Sequence, residues 1–102
     1  MATRSLIKIE GFNIALYKHW DGHPESVLPW LTDFYTEFFK KRGIDHEYCL
    51  AQLVRSSVLL GKKHKLDDSN VTGYGIVPAN SKCNQEYEYT LKDDGTIKVK
   101  EL

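Results

Sequence analysis

What this sequence lacks narrows it first. It has no excess of charge of either sign: Lys and Arg together number 14, Asp and Glu number 14, and the formal net charge is zero. Non-specific affinity for nucleic acid comes largely from counterions released by clustered cations, so this balance argues against a nucleic-acid partner. It argues equally against a polybasic membrane anchor. No stretch approaches the roughly 18 apolar residues of a membrane span. The opening residues, Met1 to Lys8, contain no apolar core of signal-peptide length. Cysteine is scarce, with Cys49 and Cys83 alone. A domain of this size needs no disulfide, so both are read as reduced thiols of a cytoplasmic protein, without a catalytic role. Gly-x-Ser-x-Gly, Cys-x-x-Cys and glycine-rich phosphate loops are missing, and no cofactor is implied.

What is present is material for one core. The chain has 102 residues, 41% of them hydrophobic, with 2 Trp, 6 Tyr and 4 Phe, which suits a single domain over 1–102. Ser5 to Glu10 alternates, with Ile7 and Ile9 on one face and Lys8 and Glu10 on the other, the period of a half-buried strand. Gly11-Phe12-Asn13 is a turn, and Ile14 to His19 forms a second strand. A register with Ile7 opposite Leu16 and Ile9 opposite Ile14 puts the aliphatic side chains together, so that pairing is expected.

A turn-rich connector follows, His19-Trp20-Asp21-Gly22-His23-Pro24-Glu25-Ser26. Gly22 can take positive φ, and Pro24 turns His23 away from helix. The spacing of Val27, Trp30, Leu31, Phe34, Tyr35, Phe38 and Phe39 predicts a helix over about 26–42 with a wide apolar stripe. Pro29 is tolerable if it falls in the first turn. Lys40, Lys41 and Arg42 suit the negative end of the helix, and Gly43 can cap it. Asp45 is a good N-cap for a second helix, whose stripe is Cys49, Leu50, Leu53, Val54, Ser57 and Leu60. The short link between the helices predicts an antiparallel hairpin. Trp30, Phe34, Phe38 and Phe39 read as core.

The last third returns to strand. Val71 to Val77 sets Thr72, Tyr74 and Ile76 against Gly73 and Gly75. Residues 86–91 and 96–102 read as a hairpin around Asp93-Asp94-Gly95. A three-residue loop with Gly95 at positive φ sets Leu91 against Ile97 and Tyr89 against Val99. It also sets Glu88 against Lys100 and Thr90 against Lys98, so both faces are satisfied at once. The order ββααβββ predicts an α+β two-layer sandwich, its mostly antiparallel sheet covered on one face by an antiparallel helix pair. The other face is expected to stay partly wet.

At Thr3-Arg4-Ser5 and His19-Trp20-Asp21-Gly22-His23-Pro24-Glu25, followed by Pro29-Trp30-Leu31, the chain resembles a family of small, functionally uncharacterised proteins of prokaryotes and their bacteriophages. The features of that family are the Thr-Arg-Ser opening and a His-Trp-Asp-Gly-x-Pro-Glu turn. Position 23 is His here, where Tyr is the commoner residue. Gly73-Tyr74-Gly75 and Glu86 to Tyr89 match more loosely. The resemblance implies a prokaryotic or phage setting and brings no established activity.

The connector is also the densest cluster of ionisable groups. His19, Asp21, His23 and Glu25 alternate along it. Imidazole and carboxylate suit a divalent metal, and a histidine oriented by a carboxylate suits acid–base catalysis. The plainer alternative has Asp21 organising the turn and Glu25 favouring the helix start. Two helices of similar length return the chain on itself, which brings Lys62, Lys63, His64 and Lys65 back toward the connector. A ligand or partner surface of Trp20, Lys62, Lys63, His64 and Tyr74 is therefore expected, suited to a protein partner or a small anionic ligand. The lysines alternatively complement the helix dipole in water. The leading expectation is a non-enzymatic binding protein. A small metal-dependent or acid–base enzyme using the connector stands second, and a homodimer formed through the sheet stands third.

Overall fold

The computed structural model describes residues 3–59 and 73–102. β1 (Ser5–Ile9) and β2 (Ile14–Lys18) form an antiparallel hairpin with Ile7 opposite Leu16, the register that the aliphatic pattern requires. Two helices follow, α1 (Pro24–Arg42) and α2 (His46–Leu59), and then β3 (Tyr74–Pro78), β4 (Tyr87–Leu91) and β5 (Ile97–Glu101). The sheet runs in the order β3-β2-β1-β4-β5. Its central seam, β1 against β4, is parallel, and the other pairings are antiparallel. The fold is a mixed-sheet α+β sandwich with helices on the sheet.

α1 begins earlier than its apolar stripe suggests. Pro24 opens it, where a missing N–H costs nothing, and His23 caps it in an extended conformation, φ −74° and ψ 155°. The amides of Ser26 and Val27 both donate to the His23 carbonyl. Pro29 is consequently inside the helix and not in its first turn. It cannot donate to the carbonyl of Glu25, and both residues are exposed. Gly43 ends the helix at φ 70°, with its N–H donating to the Phe39 carbonyl. Asp45 caps α2 from one carboxylate oxygen, which accepts the Tyr48 amide, while the other accepts Arg42 Nε at 3.0 Å.

The registers assign the side chains of the sheet to faces. Ser5, Ile7, Ile9, Leu16, Lys18, Tyr74, Tyr87, Tyr89 and Leu91 share the helix-covered face. Ile7, Ile9, Leu16, Tyr89 and Leu91 form the core with Val27, Leu31, Tyr35, Cys49 and Leu53. Each such side chain, fully buried, contributes about 1.5–3 kcal/mol. The β4–β5 turn closes with Lys92 N–H on the Thr96 carbonyl and Gly95 at φ 88°, and Tyr89 faces Val99 as the three-residue loop demands.

The opposite face is partly wet, as expected, with Lys98 and Lys100 exposed, but its centre is covered. Leu6 and Ala15 point to it, yet both are 0% exposed. The cause is topological. β3 lies at one edge and β4 beyond β1, so residues 79–86 must cross the sheet, and the helices already occupy the first face. Ala79 N–H donates to Asn13 at the start of the crossing, and Glu86 N–H donates to Arg4 at its end. On the way Gln85 donates to Glu88, which also takes Lys8 at 3.0 Å.

Candidate functional site

The connector between β2 and α1 is held by its own backbone. His19 N–H donates to the Gly73 carbonyl and Gly22 N–H to the Thr3 carbonyl. The Tyr89 hydroxyl, buried, donates to the Gly22 carbonyl at 2.6 Å. The positive φ of the turn falls on Asp21, at 52°, and not on Gly22 as expected. Gly22 is required for another reason: a Cβ there would sit 2.6 Å from the Thr3 carbonyl oxygen and 2.8 Å from Ser5 Oγ.

The four ionisable residues of the connector are not gathered. His19 Nδ1 lies 2.6 Å from the Tyr17 hydroxyl, and its ring packs edge-on against Trp20 with centroids 4.4 Å apart. His23 turns toward Ser26, Nε2 to Oγ 3.5 Å. Asp21 and Glu25 are exposed. Among the described residues, no three His, Cys, Asp or Glu side chains stand close enough to share a metal ion. Trp20 is 41% exposed. Tyr74 faces the helices, and its hydroxyl accepts Lys18 Nζ at 3.0 Å beneath a Lys18–ring contact of 4.8 Å. Lys62, Lys63 and His64 lie outside the described residues. Thus Trp20 and His19 share a surface cluster, while Tyr74 belongs to the helix-covered side.

A second site lies on the outside of the helical layer. α1 and α2 run antiparallel, pinned at one end by the Trp30 indole N–H donating to Ser56 Oγ at 2.7 Å. At the other end the Arg42 guanidinium sits 4.0 Å from the Tyr48 ring centroid. Between these pins runs an open groove of about 740 Å³. Trp30, Phe34 and Phe38 make its floor, stacked rings among them: Phe34 and Phe38 have centroids 6.0 Å apart. These residues do pack against the core, as their spacing predicts, but each is only half-buried and presents its other side to the groove.

The rims carry both signs of charge. Asp33, Glu37 and Lys41 line the α1 side, and Tyr48, Gln52 and Arg55 the α2 side. Lys41 pairs with Glu37 at 3.1 Å, and its hydrogen bond and charge hold the Glu37 carboxyl below the usual range. Arg42 is engaged by Asp45 and Tyr48. Among the described residues, Asp33 and Arg55 have no ion-pair partner, and they stand on opposite rims. Tyr48 is 57% exposed on the crest of α2.

The two cysteines differ. Cys49 is in the core, where burial pushes its thiol up to about 12 and disfavours the reactive thiolate. Cys83 is half-buried on the crossing segment, and both are free. Among the described residues, no helix is long and apolar enough to cross a membrane.

Fold and groove together define the class, a two-layer α+β protein with an aromatic cleft on the outer side of its helix pair. No family model, no curated protein and no solved structure matches this chain.

Proposed function

We propose that this protein is a non-enzymatic interaction protein, and that the groove between α1 and α2 is the surface on which it receives another polypeptide. The carrying observation is the aromatic floor of Trp30, Phe34 and Phe38 left open between rims that carry charges of both signs. Aromatic side chains with arginine at the margin are the residue types in which protein interfaces concentrate their energy. The groove follows α1 from Trp30 to Arg42, about 18 Å at 1.5 Å per residue, the length of a three-turn helix. An accessory role inside a prokaryotic cell or phage-infected host is part of this proposal, supported by the likeness of Thr3-Arg4-Ser5 and the His19–Glu25 turn.

A second reading keeps the connector as an acid–base site, supported by the Tyr17 hydroxyl 2.6 Å from His19 Nδ1. One experiment separates the two. The isotopically labelled protein is titrated with amphipathic helical peptides of either net charge, and separately with nucleotides and zinc. Peptide-induced shifts at the Trp30 indole N–H and the Gln52 side-chain amide support the groove. Shifts confined to His19 and Trp20, produced by the small molecules alone, would replace it with the connector.

A further inference from the structure

We infer that the occupant of the groove is a second copy of this chain, docked so that the two helix pairs form a four-helix bundle. The inference rests on the interaction reading above and adds the identity of the partner. Its basis is the placement of the two rim charges that have no ion partner among the described residues. Trp30 is bonded to Ser56 and Arg42 is stacked on Tyr48, so between these contacts α1 advances 12 residues while α2 runs back 8. Interpolated between them, Asp33 on α1 falls about one residue from the level of Arg55 on α2, across the groove.

A two-fold axis laid along the groove then has a defined result. It places α1 of one copy over α2 of the other, at the same level, so Asp33 meets the second copy's Arg55, and the reverse contact forms by symmetry. Both charges find opposite partners, and none of the existing pairs, Glu37–Lys41 or Arg42–Asp45, has to break. Every helix gains a neighbour running antiparallel to it, which also opposes their dipoles. The two aromatic floors face each other across the axis, so Phe34 and Phe38 of both copies fill the centre of the bundle. The perpendicular in-plane axis is less suited. It sets Asp33 against Lys41, which Glu37 already holds.

The footprint sets the expected strength. α2 is 14 residues long, about 21 Å, and two helices side by side are about 20 Å wide. That is the small end of specific interfaces, where association is commonly weak and reversible. The dimer should therefore have a dissociation constant on the order of 10 μM.

The test is sedimentation equilibrium from the low micromolar to the near-millimolar range, on the full chain and on four variants with unchanged circular dichroism. Wild type should pass from monomer to dimer. Asp33→Arg and Arg55→Asp should each weaken the dimer roughly tenfold or more, since each creates two like-charge contacts. The double variant Asp33→Arg/Arg55→Asp should recover most of the loss. A monomer throughout the range overturns the inference. In that case, peptide-induced shifts at the Trp30 indole would still leave the interaction reading standing. A dimer that ignores both charge reversals but is broken by Val99→Lys on β5 also overturns it, because the contact would then lie in the sheet.

Discussion

Gly22 shows how a single missing methyl group organises the connector. Its backbone is pressed against Thr3 and Ser5, and its carbonyl accepts the Tyr89 hydroxyl, so three distant segments meet at a residue with no side chain. Gly22→Ala should cost about 1–3 kcal/mol, because the Thr3 carbonyl is backbone and the Ser5 side chain is buried, so neither can step aside. The midpoint of urea unfolding measures it. Tyr89→Phe should cost about 1–2 kcal/mol by leaving that carbonyl without its donor. Cys49 gives a second prediction at this scale. Its thiol is in the core and raised to about 12, so a thiol reagent at neutral pH should modify at most Cys83 in the folded protein and both cysteines in urea. Rapid modification of Cys49 in the native state would mean the helices do not seal the core. The turn around Asp21 and Gly22 was legible in the sequence as a turn. Which of the two takes the positive φ was not, since aspartate tolerates that region and the deciding contact comes from Thr3 and Ser5, which are distant in sequence.

At the scale of the element, the hairpins were readable and the groove was not. The β1–β2 and β4–β5 registers follow from local patterns, because only one alignment pairs aliphatic with aliphatic on one face and Glu88 with Lys100 on the other. α1 hides its second role for a reason of angle. At about 100° per residue, its apolar positions spread over roughly 180° of the helix, wider than the ~100° needed to face a sheet. Val27, Leu31 and Tyr35 turn inward to the sheet and are buried. Trp30, Phe34 and Phe38 form a parallel row, half-buried and open to the groove. An excess of stripe width was the available signal, but width alone does not say whether a second element covers the surplus. The capping of α2 is directly testable. Asp45→Ala removes both the acceptor of the Tyr48 amide and the partner of Arg42, and should cost about 1 kcal/mol. Asp45→Asn should recover most of it, as read from thermal unfolding.

Across the whole molecule, the parallel seam between β1 and β4 accounts for what the order ββααβββ left open. Local patterning cannot say that β4 joins β1, because Lys8 and Glu88 meet across a separation of 80 residues. That pair has a consequence for acid stability. Burial acts to raise the Glu88 carboxyl, but hydrogen bonds from Gln85 and Lys8 and the charge of Lys8 outweigh it, leaving the group below its ordinary range. A carboxyl lowered on folding stabilises the protein above its unfolded pKa, and that contribution disappears as pH falls through the folded value. Glu88→Gln should therefore lower stability at neutral pH and flatten its decline on acidification. Urea midpoints taken from neutral pH down through the carboxylate range test this, and an unchanged slope would show that the pair contributes nothing.

The sheet order also bears on synthesis. β3 closes the outer edge of β2 and β4 closes the outer edge of β1, so both seals on the first hairpin are made by the last third of the chain. From the end of α2 at Leu59 to the end of β5 at Glu101 the ribosome needs roughly 2–8 s at 5–20 residues per second. For those seconds the nascent hairpin holds Ile7 and Ile9 beside an unzipped backbone edge, a template for any passing strand. Translation speed through this stretch, as much as the finished fold, then decides how much of the protein escapes aggregation at birth.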